Sequence, residues 1–313
     1  MLKFFRNIWS PNLQLATVSR HIESLTLLTA ASTLMLRNLE STGKNYLWEW
    51  ELRVYSQWGE DGIIDFIINK LQIPHVKFLE IGAGNFLECN SRFAAEFHNA
   101  SVFAVDARHD LVSTCKSLDI FWKGRIFPRQ KFVTPDNAQE ILDEALFVME
   151  GVDILSIDID GNDYWVLSAL DLSEVKCVVV EINPLFGAKF PITIPREDFF
   201  DRTVAHFSWL YFGMSFKAAV QIMKSKGFDL IGSNRVGNNL FFVQDSSANI
   251  FAPYISTAHE FRDAKYWKVR ESRDEQGALS YKTPEECVAM LGRCNVLNVN
   301  SLEITELRDL EVE

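Results

Sequence analysis

Hydrophobic positions along the chain follow two regimes. Up to about residue 45, Leu15, Val18, Ile22, Leu25 and Leu28 recur at helical spacing with polar residues between them, and Gly43 ends the pattern. This predicts a helical segment over residues 1–45, appended for dimerisation or to cover the domain that follows. From Lys77 onward the pattern becomes strands alternating with helices. Phe78-Leu79-Glu80-Ile81 predicts a first strand stopping at Gly82. Ser91 to Phe97 reads as a helix, Ser101 to Val105 as a second strand ending at Asp106, and Arg125 to Val133 as a third. Thr134-Pro135-Asp136 opens a helix to about Met149, because proline suits a first helical turn. Asp153 to Ile157 and Cys177 to Val180 predict the fourth and fifth strands, with a helix from Tyr164 to Leu170 between them. A helix from Phe216 stops at Gly227, and Asp229 to Gly232 and Leu240 to Val243 close the series around the turn Val236-Gly237-Asn238-Asn239.

Regular alternation of strands and helices implies a parallel sheet covered on both faces. The expected fold is therefore α/β: a doubly wound, mostly parallel, Rossmann-like seven-stranded sheet with an antiparallel terminal hairpin and the N-terminal helical extension. The expected domain occupies residues 46–247. Residues 248–313 are charged and weakly periodic, and predict an excursion over the surface, most extended between Glu260 and Tyr281.

Composition narrows the setting. With 313 residues, 48% hydrophobic and 23% charged, the chain can bury a sizeable core. A net charge of -11 repels phosphate backbones, so nucleic acid is a poor partner. Five cysteines, an odd number with no C-x-x-C pair, argue against a disulfide framework and a zinc ribbon, and a reducing, cytoplasmic setting fits. The opening MLKFFRNIWSPN lacks the apolar core and cleavage site of a secretory signal. The uncharged run from Ser24 to Leu36 is too short to span a bilayer, so no transmembrane segment is expected.

The chemistry concentrates at strand ends. Glu80-Ile81-Gly82-Ala83-Gly84 follows the first strand, where glycines let a ligand approach the backbone and where a doubly wound sheet binds its ligand. A dinucleotide fingerprint wants a small residue at Leu87, and Glu80 ahead of the first glycine would repel a pyrophosphate. A nucleotide-using oxidoreductase is disfavoured on both counts. The same carboxylate suits a cationic head such as the amino acid end of AdoMet. Asp106, 26 residues after Glu80 (106 − 80), suits a ribose. Asp158 and Asp160 alternate with apolar residues, so they should share a strand face, with Asp163 just beyond as a candidate general base. Glu181 and Asn183 close the adjacent fifth strand, and oxygen ligands from both strand ends could hold Mg²⁺. Tyr55-Ser56-Gln57-Trp58-Gly59-Glu60-Asp61-Gly62 precedes an amphipathic helix, Ile63 to Leu71, and reads either as a helix cap or as a cofactor contact. The aromatic stretch from Phe207 to Phe212 is expected either to shape an acceptor pocket or to fill a core, and His206 before it is a candidate acid/base.

The ordered set Tyr55–Asp61, Phe78–Gly84, Asp158–Trp165, Val180–Pro184, Gly227–Gly232 and Asn239–Val243 resembles FkbM-like class I AdoMet-dependent methyltransferases over about residues 53–245. The resemblance implies methyl transfer from AdoMet, usually to oxygen, on sugars, polysaccharides or secondary metabolites. It places Gln57, Glu80, Gly82, Gly84 and Asp106 at the cofactor. Asp158 joins that expected set. The Asp-Gly-x-Asp-Tyr run is also similar to that of metal-dependent sugar and macrolide O-methyltransferases, which implies Asp160 as a metal ligand and Asp163 as the base. The chain departs from the family at Phe86, where the family carries glycine, and at Glu181-Ile182, where the sugar enzymes carry two adjacent acids. The expected partner is a small-molecule or glycan acceptor, with a homodimer through the N-terminal helix. A non-catalytic binding or assembly protein on the same fold is the alternative.

Overall fold

The computed structural model describes residues 43–123, 125–260 and 272–310, together with part of the segment 18–36. It divides into two units, Met1–Lys44 and Asn45–Glu313. In the first, residues 25–34 are helical. The hydroxyls of Thr26, Thr29, Ser32 and Thr33 donate to carbonyls four residues back, at 2.8–2.9 Å.

The second unit is built on a seven-stranded sheet. Its strands are β1 (Lys77–Ile81), β2 (Ser101–Asp106), β3 (Ile126–Gln130), β4 (Ile154–Ile157), β5 (Cys177–Glu181), β7 (Phe228–Ser233) and β8 (Asn239–Gln244). They lie in the order β3-β2-β1-β4-β5-β8-β7. The first five pair in parallel. Strand β8 runs antiparallel to both β5 and β7. This is the expected Rossmann-like sheet with its antiparallel hairpin. The strand order reverses between β1 and β4, and a crevice opens at such a reversal because the crossovers leave in opposite directions.

Alternation along each strand splits the core in two. Leu79, Ile81, Phe103, Val105, Leu155, Ile157, Val178 and Val180 face one layer, with helices α4 (Ala138–Met149), α5 (Asp163–Ala169) and α7 (Phe216–Ser225). Phe78, Val102, Ala104, Ile154, Cys177 and Val179 face the other. There they meet α1 (Glu60–Lys70), α2 (Arg92–Phe97), α3 (Leu111–Ser117) and α8 (Ala252–Ala258). Each fully buried side chain of this size contributes roughly 1.5–3 kcal/mol. Helix α1 is not amphipathic as expected: every residue from Glu60 to Ile68 is buried. Gly62 explains how it sits so deep, since a Cβ there would lie 2.2 Å from the Trp50 carbonyl oxygen.

Residues beyond 247 contribute more than an excursion. Strands β9 (Asn295–Asn298) and β10 (Ile304–Glu306) form a second sheet with β6 (Ile192–Thr193), in order β10-β9-β6. Helix α9 (Pro284–Met290) packs with this sheet over a third apolar cluster that holds Leu210, Phe212, Leu291 and Val296. Residues 261–271, half of the stretch expected to be most extended, lie outside the described residues. Between β6 and α7 runs a long loop bearing the four-residue helix α6 (Arg202–Ala205), which has no buried residue. Among the described residues no helix is long and apolar enough to cross a membrane.

Candidate active site at the strand ends

Gly82 ends β1 with φ +96, a backbone conformation that favours glycine. Its N–H donates to the Val105 carbonyl at 2.8 Å, which folds the turn back over β2. Two recesses meet there, and Gly82 lines both.

The first recess encloses about 470 Å³ and is lined by Asp106, Lys131, Phe132, Val133, Ile159 and Phe200 as well as Gly82. Asp106 Oδ2 accepts from the Gly84 N–H and Oδ1 from the Arg108 N–H, both at 2.8 Å. Burial raises its carboxyl pKa, although these backbone bonds oppose the shift. Each carboxylate oxygen can accept more than one bond, so Asp106 can hold its turn and still take a ligand hydroxyl.

The second recess encloses about 380 Å³ and is polar. Gln57, Glu60, Glu80, Glu88, Asn90, Asp158 and Asn239 line it. The carboxylate of Glu80 is occupied from within: it accepts from the backbone N–H of Asn90 at 2.7 Å and of Ser91 at 2.9 Å. It therefore pins the chain entering α2 while lining the second recess. Burial raises its pKa.

The segment ahead of α1 is organised by Asp61 and by Ser56, whose Oγ accepts from the Asp61 N–H at 3.1 Å. Asp61 Oδ2 accepts from the N–H groups of Val54, Tyr55 and Ser56 at 2.7, 2.7 and 2.9 Å. Glu60 turns instead to the closing hairpin, where its Oε1 accepts from the side-chain amides of Asn234 at 2.6 Å and Asn239 at 2.9 Å. This network carries Gln57 and Glu60 to the second recess, so the segment is both a cap and a wall.

Asp158 and Asp160 do come together, but by a turn and not by strand alternation. Strand β4 stops at Ile157, and Asp160 adopts φ +54. Asp158, Asp160 and Glu181 then offer carboxylate oxygens within 4.8 Å of one another, a spacing that could hold a metal ion. Burial, followed by the neighbouring carboxylates, pushes the pKa values of Asp158 and Glu181 well up. Arg202 Nη1 donates to Asp160 Oδ1 at 2.6 Å. Glu181 Oε2 is buried without a hydrogen-bond partner.

Two expected site residues are engaged by the backbone. Asp163 is fully buried, and its oxygens accept from the N–H groups of Ile159 and Gly161, each at 2.9 Å. It ties the turn that carries Asp158 and Asp160, and its side chain is closed to solvent. Asn183 is also fully buried. Its Oδ1 accepts from the Leu185 N–H at 3.1 Å, and its Nδ2 donates to the carbonyls of Leu210 and Phe212 at 2.8 and 3.0 Å. It locks the chain after β5, with its side-chain oxygen engaged by the Leu185 N–H. Leu210 and Phe212 likewise belong to a core, whereas Phe207 is exposed. His206 Nδ1 pairs with Ser208 Oγ at 2.7 Å, and burial lowers its pKa.

Lys131, Phe132 and Val133 were not anticipated, although their place after β3 is where a doubly wound sheet receives a ligand. Phe200 and Arg202 carried no signal at all, because the loop that bears them has no periodicity.

No protein-family model matches this sequence, and no curated protein matches it. Among solved structures, an S-adenosylmethionine-dependent methyltransferase from Clostridium acetobutylicum is 9% identical, with 69% of this chain and 98% of that one covered at a TM-score of 0.36. A putative O-methyltransferase from Nostoc punctiforme is 18% identical over 59% and 54% of the two chains, at 0.35. The Methanococcus jannaschii fibrillarin pre-rRNA processing protein is 14% identical over 55% and 67%, at 0.34. These likenesses are loose. The strand order itself defines the fold.

Proposed function

We propose that this chain is an AdoMet-dependent methyltransferase that acts on a hydroxyl oxygen, with a sugar or another polyhydroxylated small molecule or glycan as acceptor. The observation that carries the reading is the pair of unlike recesses joined at Gly82. Asp106 and the apolar faces of Phe132 and Val133 suit a ribose and a purine. The second recess is lined by Glu60, Glu80, Glu88 and Asp158, with no Lys or Arg among its lining residues. Such a wall suits a ligand end bearing an ammonium group, and would repel a pyrophosphate. AdoMet, when bound, supplies an activated methyl group. The chain's own residues hold the reactants in line and receive a proton.

Asp160 is the carboxylate we assign to receive the acceptor's proton, since its side chain is 46% exposed and Asp163 is closed off. The cluster also fits a hard divalent ion such as Mg²⁺. All three donors are carboxylate oxygens, and the unpartnered Glu181 Oε2 belongs to one of them. Asp158, Asp160 and Glu181 would hold the ion, which would acidify a nearby hydroxyl. Phe86 does not obstruct this reading, because its side chain lies in the second core layer and lines neither recess. A homodimer through the N-terminal helix completes the proposal, as Val18, Ile22, Leu25 and Leu28 are 54–65% exposed. The buried thiols Cys89, Cys115 and Cys177 accord with the cytoplasm.

Calorimetric titration with AdoMet, with and without Mg²⁺, tests the assignment. Micromolar binding is expected. No binding in either condition would sink it and leave a non-catalytic binding protein on this fold.

A further inference from the structure

We infer that Arg202 is a built-in competitor for the cation at the Asp158–Asp160–Glu181 cluster, and so sets how tightly that cation binds. The inference rests on the reading that the cluster takes a divalent ion. Three carboxylates converge within 4.8 Å, and one guanidinium already reaches them, with Arg202 Nη1 at 2.6 Å from Asp160 Oδ1. Arg202 donates to Asp160, while Glu181, 5% exposed, keeps Oε2 free of any donor hydrogen bond. That oxygen stays open to a cation while Arg202 holds Asp160.

Arg202 is held through its side chain, 19% exposed, on a segment with no buried residue. Its guanidinium carbon lies 5.2 Å from the centre of the Phe212 ring, a core side chain, so one side of it rests against a fixed surface. Its own backbone lies in α6, which buries nothing. An ion that draws Asp160 inward must take it from Arg202 or share it against like-charge repulsion. Either route weakens binding relative to a cluster without the arginine. The same loop carries Phe200, which lines the first recess and would lie 2.6 Å from a Cβ placed on Gly161.

The test is Mn²⁺ binding to the full chain, followed by calorimetry and by the loss of the free-ion paramagnetic signal. Four proteins are compared: wild type, Arg202→Gln, Arg202→Lys and Glu181→Gln. Arg202→Gln should bind at least threefold more tightly than wild type. Arg202→Lys, which keeps the charge, should stay near wild type, and Glu181→Gln should bind at least tenfold more weakly. Unchanged or weaker binding by Arg202→Gln overturns the competitor role. So does equal tightening by Arg202→Lys, since charge would then not be the cause. If wild type and Arg202→Gln both fail to bind Mn²⁺, or if Glu181→Gln binds as wild type does, the cation site itself is wrong, and with it the reading on which this inference rests.

Discussion

Gly82 packs against Asp158 so closely that a Cβ on the glycine would fall 1.6 Å from the Asp158 carbonyl oxygen. The end of β1 and the end of β4 therefore touch through bare backbone, and this contact positions both recesses. Gly82→Ala must push the two strand ends apart and also strain a φ of +96. We expect a loss of AdoMet affinity of at least tenfold, with a fall in thermal midpoint. Calorimetry and a melting curve check both; wild-type affinity in a folded Gly82→Ala protein would remove the turn from the site.

Asp163 is predicted to be a stability residue. Asparagine cannot accept on both sides, so Asp163→Asn leaves either the Ile159 or the Gly161 N–H facing a donor. Roughly 1–3 kcal/mol of stability should be lost. Burial raises the Asp163 pKa to about 6, from 3.8 when unfolded. A raised carboxyl pKa favours the protonated native state, so its contribution to stability is fully present below about pH 4 and declines as pH rises to about 6. At about 1.36 kcal/mol per pH unit, the rise from 3.8 to about 6 amounts to about 3 kcal/mol. The stability advantage of wild type over Asp163→Asn should accordingly be largest near pH 4 and shrink towards pH 7. Urea unfolding across that range measures it; a difference that grows with pH would contradict the sign.

Phe86 sets two effects against each other. Its φ of +70 places it in the left-handed region that glycine tolerates best, at a cost of roughly 1–2 kcal/mol. Its side chain is fully buried, and removing a buried phenylalanine costs about 3–5 kcal/mol. Burial wins, so Phe86→Gly should be destabilised by a few kcal/mol despite the relief of strain. A gain in denaturant midpoint would show that the backbone strain outweighs the buried ring.

Asp106→Ala removes the acceptor for the Gly84 and Arg108 N–H groups along with the carboxylate facing the first recess. We expect AdoMet affinity to fall by roughly 10–100-fold, equivalent to the loss of about 1.4–2.8 kcal/mol. Titration with 5′-methylthioadenosine, which lacks the amino acid end, should show a similar loss. An effect on AdoMet alone would place Asp106 at the other end of the ligand.

The closing hairpin shows where sequence reading stopped short. Two apolar runs around Val236–Asn239 were enough to predict the antiparallel pair β7 and β8. Nothing in them indicated that Asn234 and Asn239 would close on Glu60, more than 170 residues earlier, and so build one wall of the second recess.

Local periodicity by itself determined the strands, the helices between them, the doubly wound class and the glycine turn, because alternation and turn chemistry are properties of neighbouring residues. The carboxylates at the ends of β4 and β5 were legible as candidates for the same reason. Only the tertiary structure decided which of them converge and which tie the backbone. Asp163 and Asn183 were drawn inward to satisfy backbone N–H and carbonyl groups that burial would otherwise leave unpaired. Asp158, Asp160 and Glu181 were left converging, with Arg202 brought to them from a loop of no periodicity. A side chain's partners are set by which distant backbone groups need it, and that is settled only when the sheet closes.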